Sequence, residues 1–328
     1  MKFGPVPVAE ALGAVLAHSV QVADGRLRKG VTIGPKELAR LMVSGHAQVI
    51  VARLEPGDLH ENDAAAQLAK AVAGPGLRLT KAATGRVNII ATGPGIACIA
   101  VEAINAVNAV NPMITVATVP PHHRVDCGGM VATIKIISYA VPADDLQKAC
   151  AIGSDLLALA CPIHRSATLI ETRLAPMPAA KGRAAIQARL DRLGLSLTPP
   201  VIVDHTASAL ARAITDSPGD LVLILTASAT SDSDDVGPAA LRMAGGRLVQ
   251  FGMPVDPGNL LFLGKAGHRP VIGLPGCARS AALNGADWVM ERVICGIDLS
   301  PADFAVMGVG GLLKEIPQRP QPRSSIGD

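Results

Sequence analysis

The stretch Leu221-Val-Leu-Ile-Leu-Thr-Ala-Ser-Ala-Thr-Ser-Asp-Ser-Asp-Asp-Val-Gly-Pro238 decides the fold. Five aliphatic residues in succession, bounded by polar ones, are too few for a helix and read as a strand covered on both faces. The hydroxyl-rich, acidic run that follows enters a helix at Gly237-Pro238, where proline suits the first turn. Upstream, residues 167–172 read as a strand, 182–193 as a helix, 196–203 as a strand and 208–215 as a helix. Downstream, 238–243 form a short helix, 247–251 and 270–272 are strands, and 281–293 are a closing helix. Strand and helix in this alternation predict an α/β fold with a doubly wound, mainly parallel sheet, in which ligands bind beyond the carboxyl ends of the strands.

The remaining sequence divides by its punctuation. Residues 1–75 predict a small mixed α/β domain, with a helix opened by Gly34-Pro35, striped by Leu38, Leu41 and Met42, and closed by Gly45. Residues 76–163 predict a β-rich domain, with β-branched runs at 87–91, 114–119 and 131–139 and a helix from Pro142 to Gly153. Residues 164–300 hold the alternating domain. Residues 301–328 predict a partly irregular C-terminal tail, with Pro317, Pro320 and Pro322.

Composition narrows the function classes. The 328 residues are 49% hydrophobic and 17% charged, which is a globular balance. Aromatics make up only 2%, so the core is packed from aliphatic side chains, and the platforms needed for base stacking are missing. A net charge of +3 without a basic run gives no second reason to expect nucleic acid. The apolar stretches end well before the roughly 18 residues a membrane span needs, and the first seven residues carry no export signal, so a cytoplasmic protein is expected. Six scattered cysteines without a CxxC pair read as buried thiols, not disulfides or a zinc site.

Three segments lie where strands of the alternating domain should end. In the first, small residues including Thr226, Ser228, Thr230 and Ser231 let backbone amides face a ligand, and the following helix start adds a positive dipole end. Asp232, Asp234 and Asp235 would repel bare phosphate, so a bridging divalent cation, magnesium by preference, complements them through Asp232 and Asp235. A solvated loop with an acidic helix start is the plain alternative. In the second segment, Pro257, Gly258 and Asn259 form a turn that can approach a ligand closely. In the third, Pro275, Gly276 and Cys277 turn a strand into a helix, Arg279 is suited to phosphate, and Ser280 to capping or contact.

In order and spacing these segments resemble the molybdopterin-binding fold of the MogA and MoeA families, which includes gephyrin. The family's Gly-Leu-Pro-Gly-Asn-Pro-x-Ser is matched by Gly273-Leu-Pro-Gly-Cys-Ala-Arg-Ser280, and its Pro-Gly-Lys-Pro by Pro257-Gly-Asn-Leu260. The Arg-Asp-Val-Thr-Pro-Glu-Ala of the MogA branch is matched by Asp234-Asp-Val-Gly-Pro-Ala-Ala240, which carries the family's functional aspartate onto Asp235. Asp232 aligns with an aspartate of the MoeA branch. The resemblance covers about residues 165–297 and extends more loosely to the N-terminal domains, which look like a diverged MoeA arrangement. It implies a molybdenum-cofactor biosynthesis protein that binds molybdopterin or adenylylated molybdopterin with magnesium, assists molybdate insertion, and forms a homodimer. The catalytic version would be a molybdopterin molybdenumtransferase-like activity centred on Asp235 and Asp232. Two departures are visible: the family's Thr-Gly-Gly is Leu225-Thr-Ala227, and its Asn-Pro is Cys277-Ala278. The missing Gly-Gly directs attention to a non-enzymatic carrier or sensor of the cofactor, and a CinA-like pyrophosphatase, which shares the fold, is a second alternative.

Other polar residues read more simply. His122-His123 fall in an expected exposed turn, although their residue type suits a metal. The acids after His60 open a helix and suit capping, while MoeA-like proteins can complete a partner's site from the N-terminal domain, which keeps Glu61 as a candidate. Lys181, at a helix start, either meets solvent or a ligand's phosphate.

Overall fold

The structure, a computed structural model, describes residues 1–174 and 182–313. It is mixed α/β. The chain divides into two compact units, Met1–Gly93 with Ala97–Leu159, and Pro94–Ile96 with the residues from Ala160 onward. Among the described residues, no helix is long and apolar enough to cross a membrane.

In the first unit, strands Lys2–Pro7 and Val15–Leu16 flank Gln48–Arg53, both antiparallel to it. The helix Pro35–Val43 begins and ends as its Gly-Pro and Gly signals require. Leu41 is fully buried and Leu38 packs beside it, but Met42 is 57% exposed, so the expected stripe is one residue narrower. A second, antiparallel sheet runs in the order Ile114–Thr118, Met130–Ile136, Arg86–Ala91, Leu77–Leu79. Its apolar side chains pack with helices Glu61–Val72, Val101–Val110 and Ala143–Ala151. The helix Val101–Val110 is absent from the sequence reading, because valine and isoleucine there mimic a strand. Ile104 and Val107, three apart, are the residues it buries, and packing overrides the weak propensity.

The second unit contains a seven-stranded sheet. Its elements are β1 (Ser166–Arg173), α1 (Arg183–Asp191), β2 (Ser196–Leu197), β3 (Val201–Asp204), α2 (Ala207–Asp216), β4 (Leu221–Leu225), α3 (Val236–Met243), β5 (Arg247–Phe251), β6 (Phe262–Ala266), β7 (Arg269–Gly273), α4 (Gly285–Ile294) and α5 (Pro301–Ala305). β1 pairs in parallel with β2, β3 and β4, and β4 in parallel with β7. β6 and β5 then extend the sheet antiparallel.

Alternation along β4 feeds two cores. Leu221, Leu223 and Leu225 join Ile186 and Leu190 of α1 and Val289 and Met290 of α4. Val222 and Ile224 join Leu210 and Ile214 of α2 and Ala240 and Leu241 of α3. All five β4 side chains are fully buried, each such burial contributing about 1.5–3 kcal/mol.

Three features of this unit differ from the sequence reading. The strand expected over 196–203 is two short strands, because Pro199-Pro200 removes two ladder donors. β6 was not anticipated; Gly267, at φ +59°, turns it back onto β7 as a hairpin. The closing helix starts at Gly285, not residue 281, because Asn284 and Asp287 form its capping box. Within residues 301–313 the helix α5 forms, and Phe304 and Met307 are buried in the core. The prolines at 317, 320 and 322 lie outside the described residues. The cysteines are not all buried as expected: among the six, Cys295 is buried, while Cys127 and Cys161 are exposed.

Candidate functional site

The carboxyl ends of β3, β1, β4 and β7 lie side by side because these strands are parallel neighbours through β1 and β4. Beyond them is a cavity of ≈ 120 Å³ lined by Leu225 to Thr230, Leu260, Leu274, Pro275, Gly276 and Arg279. The first and third segments singled out in the sequence therefore meet at one place, and the second reaches it through Leu260. A larger cavity of ≈ 380 Å³ lies in the first unit, lined by residues such as Leu59, Ala66, Leu79 and Val87. Its lining also holds Asp63, Gln67, Lys70 and Thr80, but it includes no loop from the carboxyl ends of the parallel strands, so the smaller cavity is the better candidate.

Arg279 supplies the cation of this cleft. Its Nη2 donates to the Thr226 carbonyl at 2.8 Å, tying the third segment to the first. Burial lowers the guanidinium pKa from its ordinary value, and the Glu171 carboxylate opposes that shift. Arg279 stays charged. Glu171, only 7% exposed near the end of β1, is a charge that the sequence reading missed. The Thr226 hydroxyl donates to the Ser228 carbonyl at 2.7 Å and lies 3.3 Å from the Thr230 hydroxyl, so the loop is also braced from within.

A chain of polar groups runs beneath the same loop. The Ala227 N–H donates to Thr172 Oγ1 at 2.7 Å, Thr172 Oγ1 lies 2.9 Å from His205 Nδ1, and His205 Nε2 lies 3.0 Å from Ser228 Oγ. Thr172 is next to last in β1 and is 1% exposed; His205 directly follows β3. Neither was picked out in the sequence. The available signal was position alone, a histidine at a strand end in line with the other three loops.

The second and third segments owe much of their shape to packing. The Gly285 N–H donates to the Pro257 carbonyl at 2.8 Å, and a Cβ on Gly258 would stand 2.6 Å from the Gly285 nitrogen. The close approach foreseen at Gly258 is thus to the start of α4. Asn259 is exposed, and its carbonyl accepts from Met253. Cys277 belongs to a short 3-10 turn, Gly276–Arg279, and the Ser280 hydroxyl accepts from the Ala282 N–H at 3.2 Å instead of capping a helix.

Arg189 of α1 holds this loop from below. Its Nε donates to Asp287 Oδ1 at 2.6 Å, and its Nη atoms donate to the carbonyls of Ala278 at 2.9 Å, Ser280 at 2.8 Å and Ala282 at 2.9 Å. Arg189 and Asp287 are 7% and 3% exposed. The clue in the sequence was a cation between Ile186 and Leu190 on an apolar face.

The acidic loop behaves differently from its expected metal role. Asp235 Oδ1 accepts from the Val236 N–H at 2.7 Å and Oδ2 from the Ser231 N–H at 3.1 Å, making it the N-cap of α3. Asp232 accepts from the Asp234 N–H at 2.8 Å, and Asp234 pairs with Arg242 at 2.7 Å. Among the described residues no group of three or more His, Cys, Asp and Glu side chains could hold a metal. Neither Asp232 nor Asp235 lines the cleft.

Glu61 belongs to the first unit, is 8% exposed and lies 3.7 Å from Lys135 Nζ; His60, the N-cap, accepts from the Asn62 N–H. His122 and His123 are exposed in a turn, as their flanking residues predict. Lys181 lies outside the described residues.

The family model described as a domain of unknown function (DUF8806) matches residues 5–53. No curated protein matches the chain. Among solved structures, the chain is similar to a molybdopterin biosynthesis MoeA protein from Pyrococcus horikosii, at 13% identity over 90% of this chain and 75% of that one, with a TM-score of 0.31. It is also similar to a molybdenum cofactor biosynthesis protein from Pyrococcus furiosus, at 13% identity over 85% of this chain and 59% of that one, with a TM-score of 0.22. At these scores the likeness lends this chain neither a site residue nor an activity.

Proposed function

We propose that this chain is a cytoplasmic, homodimeric molybdenum-cofactor biosynthesis protein with a doubly wound MogA-like domain, and that it binds molybdopterin or its adenylylated form by the phosphate. The observation that carries the reading is the cleft beyond β1, β4 and β7, which Thr226, Ser228 and Thr230 line together with Arg279. Residues of the first and third motif segments line it, and a cation among small residues at the switch of an α/β sheet is the chemistry phosphate needs.

Size sharpens the assignment. Sites that enclose a whole cofactor run to about 300–1,000 Å³, and this cleft is ≈ 120 Å³. It accommodates the phosphate arm, and the pterin ring lies outside it. Pro257, Gly258 and Asn259 then shape the wall by fixing α4, while Pro275 and Gly276 provide the floor. Cys277 and Ser280 flank that floor.

Asp232 and Asp235 do not form a metal cage of their own. Magnesium enters the proposal only as an ion carried on the ligand's phosphate oxygens, and no chemical step is routed through it. The engaged carboxylates favour a second reading, the non-enzymatic carrier, over turnover or molybdate insertion. The test is purification of the chain from cells that make the cofactor, followed by oxidation and fluorescence of the released pterin. Absence of pterin contradicts both readings; pterin without hydrolysis of the adenylylated compound selects the carrier.

A further inference from the structure

The polar chain under the cleft has a direction that follows from counting protons. Thr172 Oγ1 accepts the Ala227 N–H at 2.7 Å, so one lone pair is used and its single proton must go elsewhere. At 1% exposure water does not supply the partner, and His205 Nδ1 stands at 2.9 Å. The Thr172 hydroxyl therefore donates to Nδ1, which makes Nδ1 the unprotonated nitrogen of a neutral ring and leaves the proton on Nε2. Nε2 in turn donates to Ser228 Oγ at 3.0 Å. With its oxygen occupied as an acceptor, exposed Ser228 keeps its own proton for a ligand at the mouth of the cleft.

We propose that Thr172 and His205 are positioning residues that orient Ser228 as a hydrogen-bond donor to an unprotonated phosphate oxygen in the cleft beside Arg279. The inference rests on the phosphate reading of that cleft and assigns a polarity to it. Ser228 is a donor in this arrangement and not a nucleophile, since a nucleophilic serine would need Nε2 to accept its proton. A group already protonated, with no lone pair turned to Ser228, loses this bond. The relay thus favours a ligand atom that presents a lone pair to Ser228, such as a phosphate oxygen, over a group that can only donate there.

The two nitrogens can be separated by substitution. His205→Asn keeps an acceptor near the Nδ1 position and loses the reach to Ser228. His205→Gln keeps a donor near the Nε2 position. Titration calorimetry with inorganic phosphate is expected to show Ser228→Ala weakening binding by about 10- to 100-fold, the range of a hydrogen bond to a charged group. His205→Asn should weaken it equally, His205→Gln should stay close to the wild type, and adding Ser228→Ala to His205→Asn should cost nothing further. A purely structural histidine would give equal losses for Asn and Gln, or additive losses in the double variant, and either result overturns the relay. Arg279→Ala separates the two claims: loss of phosphate binding there, with Ser228→Ala and His205→Asn unaffected, keeps the cleft and overturns the relay. A wild-type protein that does not bind phosphate overturns both. Independently of any ligand, the long-range nitrogen–proton NMR spectrum of neutral His205 should place its proton on Nε2. A proton on Nδ1 would overturn the proposal.

Discussion

Arg189 is the residue on which the floor of the cleft depends, because one buried guanidinium serves Asp287 and the carbonyls of Ala278, Ser280 and Ala282 in one loop. Removing one member of a buried pair leaves the other charge unmatched, which costs about 3–5 kcal/mol. Arg189→Met should lower unfolding stability by that amount in urea, and the double variant Arg189→Met with Asp287→Leu should recover part of it. Asp235 presents a contrast. Because Asp235 Oδ1 accepts from the Val236 N–H at the start of α3 and Oδ2 from the Ser231 N–H in the preceding loop, Asp235→Ala should cost about 0.5–2 kcal/mol, whereas Asp235→Asn, which keeps one acceptor oxygen, should cost less. Equal losses for the two substitutions would mean that Asp235 has another task.

At the scale of elements, the sheet is sealed by the fit of one aromatic ring. Phe262 of β6 is 1% exposed, and a Cβ on Gly273 would come within 1.9 Å of its ring, with one on Gly237 at 2.7 Å. The glycine that opens the third motif is therefore required by packing between β7 and β6, whatever the ligand. Gly273→Ala should destabilise by about 1–3 kcal/mol in thermal unfolding, the range for overpacking, and Phe262→Leu should relieve it. The opposite end of the sheet has an electrostatic tie. Asp220, just before β4, accepts the N–H groups of Arg165 at 2.8 Å and Ser166 at 3.0 Å at the start of β1. These bonds, that from Arg165 foremost, lower its carboxyl pKa from the usual 3.8. A value lower in the folded chain than in the unfolded one gives stability that is present above pH 3.8 and lost as pH falls through the folded value. The stability gap between wild type and Asp220→Asn, measured by denaturant unfolding, should therefore close on acidification. A gap that widens would contradict the assignment.

The alternation from residue 167 to 293 was legible because aliphatic runs, Gly-Pro starts and small-residue loops repeat at close intervals. The same pattern located the first and third segments at strand ends. What stayed hidden is non-local. Thr172, His205, Glu171 and Arg189 carry no motif, and each acquires meaning only when parallel pairing brings β1, β3, β4 and α1 together. The antiparallel β6 was missed for a related reason: its Gly264 and Lys265 break the hydrophobic run, and its turn at Gly267-His268 is a short one. The helix Val101–Val110 was hidden by β-branched residues whose burial outweighs their propensity.

On the scale of the whole molecule, the central claim is that a phosphorylated pterin is held by its phosphate in the cleft at Arg279. The most direct measurement compares the pterin content of wild-type protein and Arg279→Ala, each purified from cells making the cofactor and read by fluorescence after oxidation, with melting temperature as the folding control. Pterin bound to the wild type and lost at least tenfold in a folded Arg279→Ala variant is the predicted result, one order of magnitude being about 1.4 kcal/mol of binding. Equal pterin in both proteins, or none in the wild type, would contradict it.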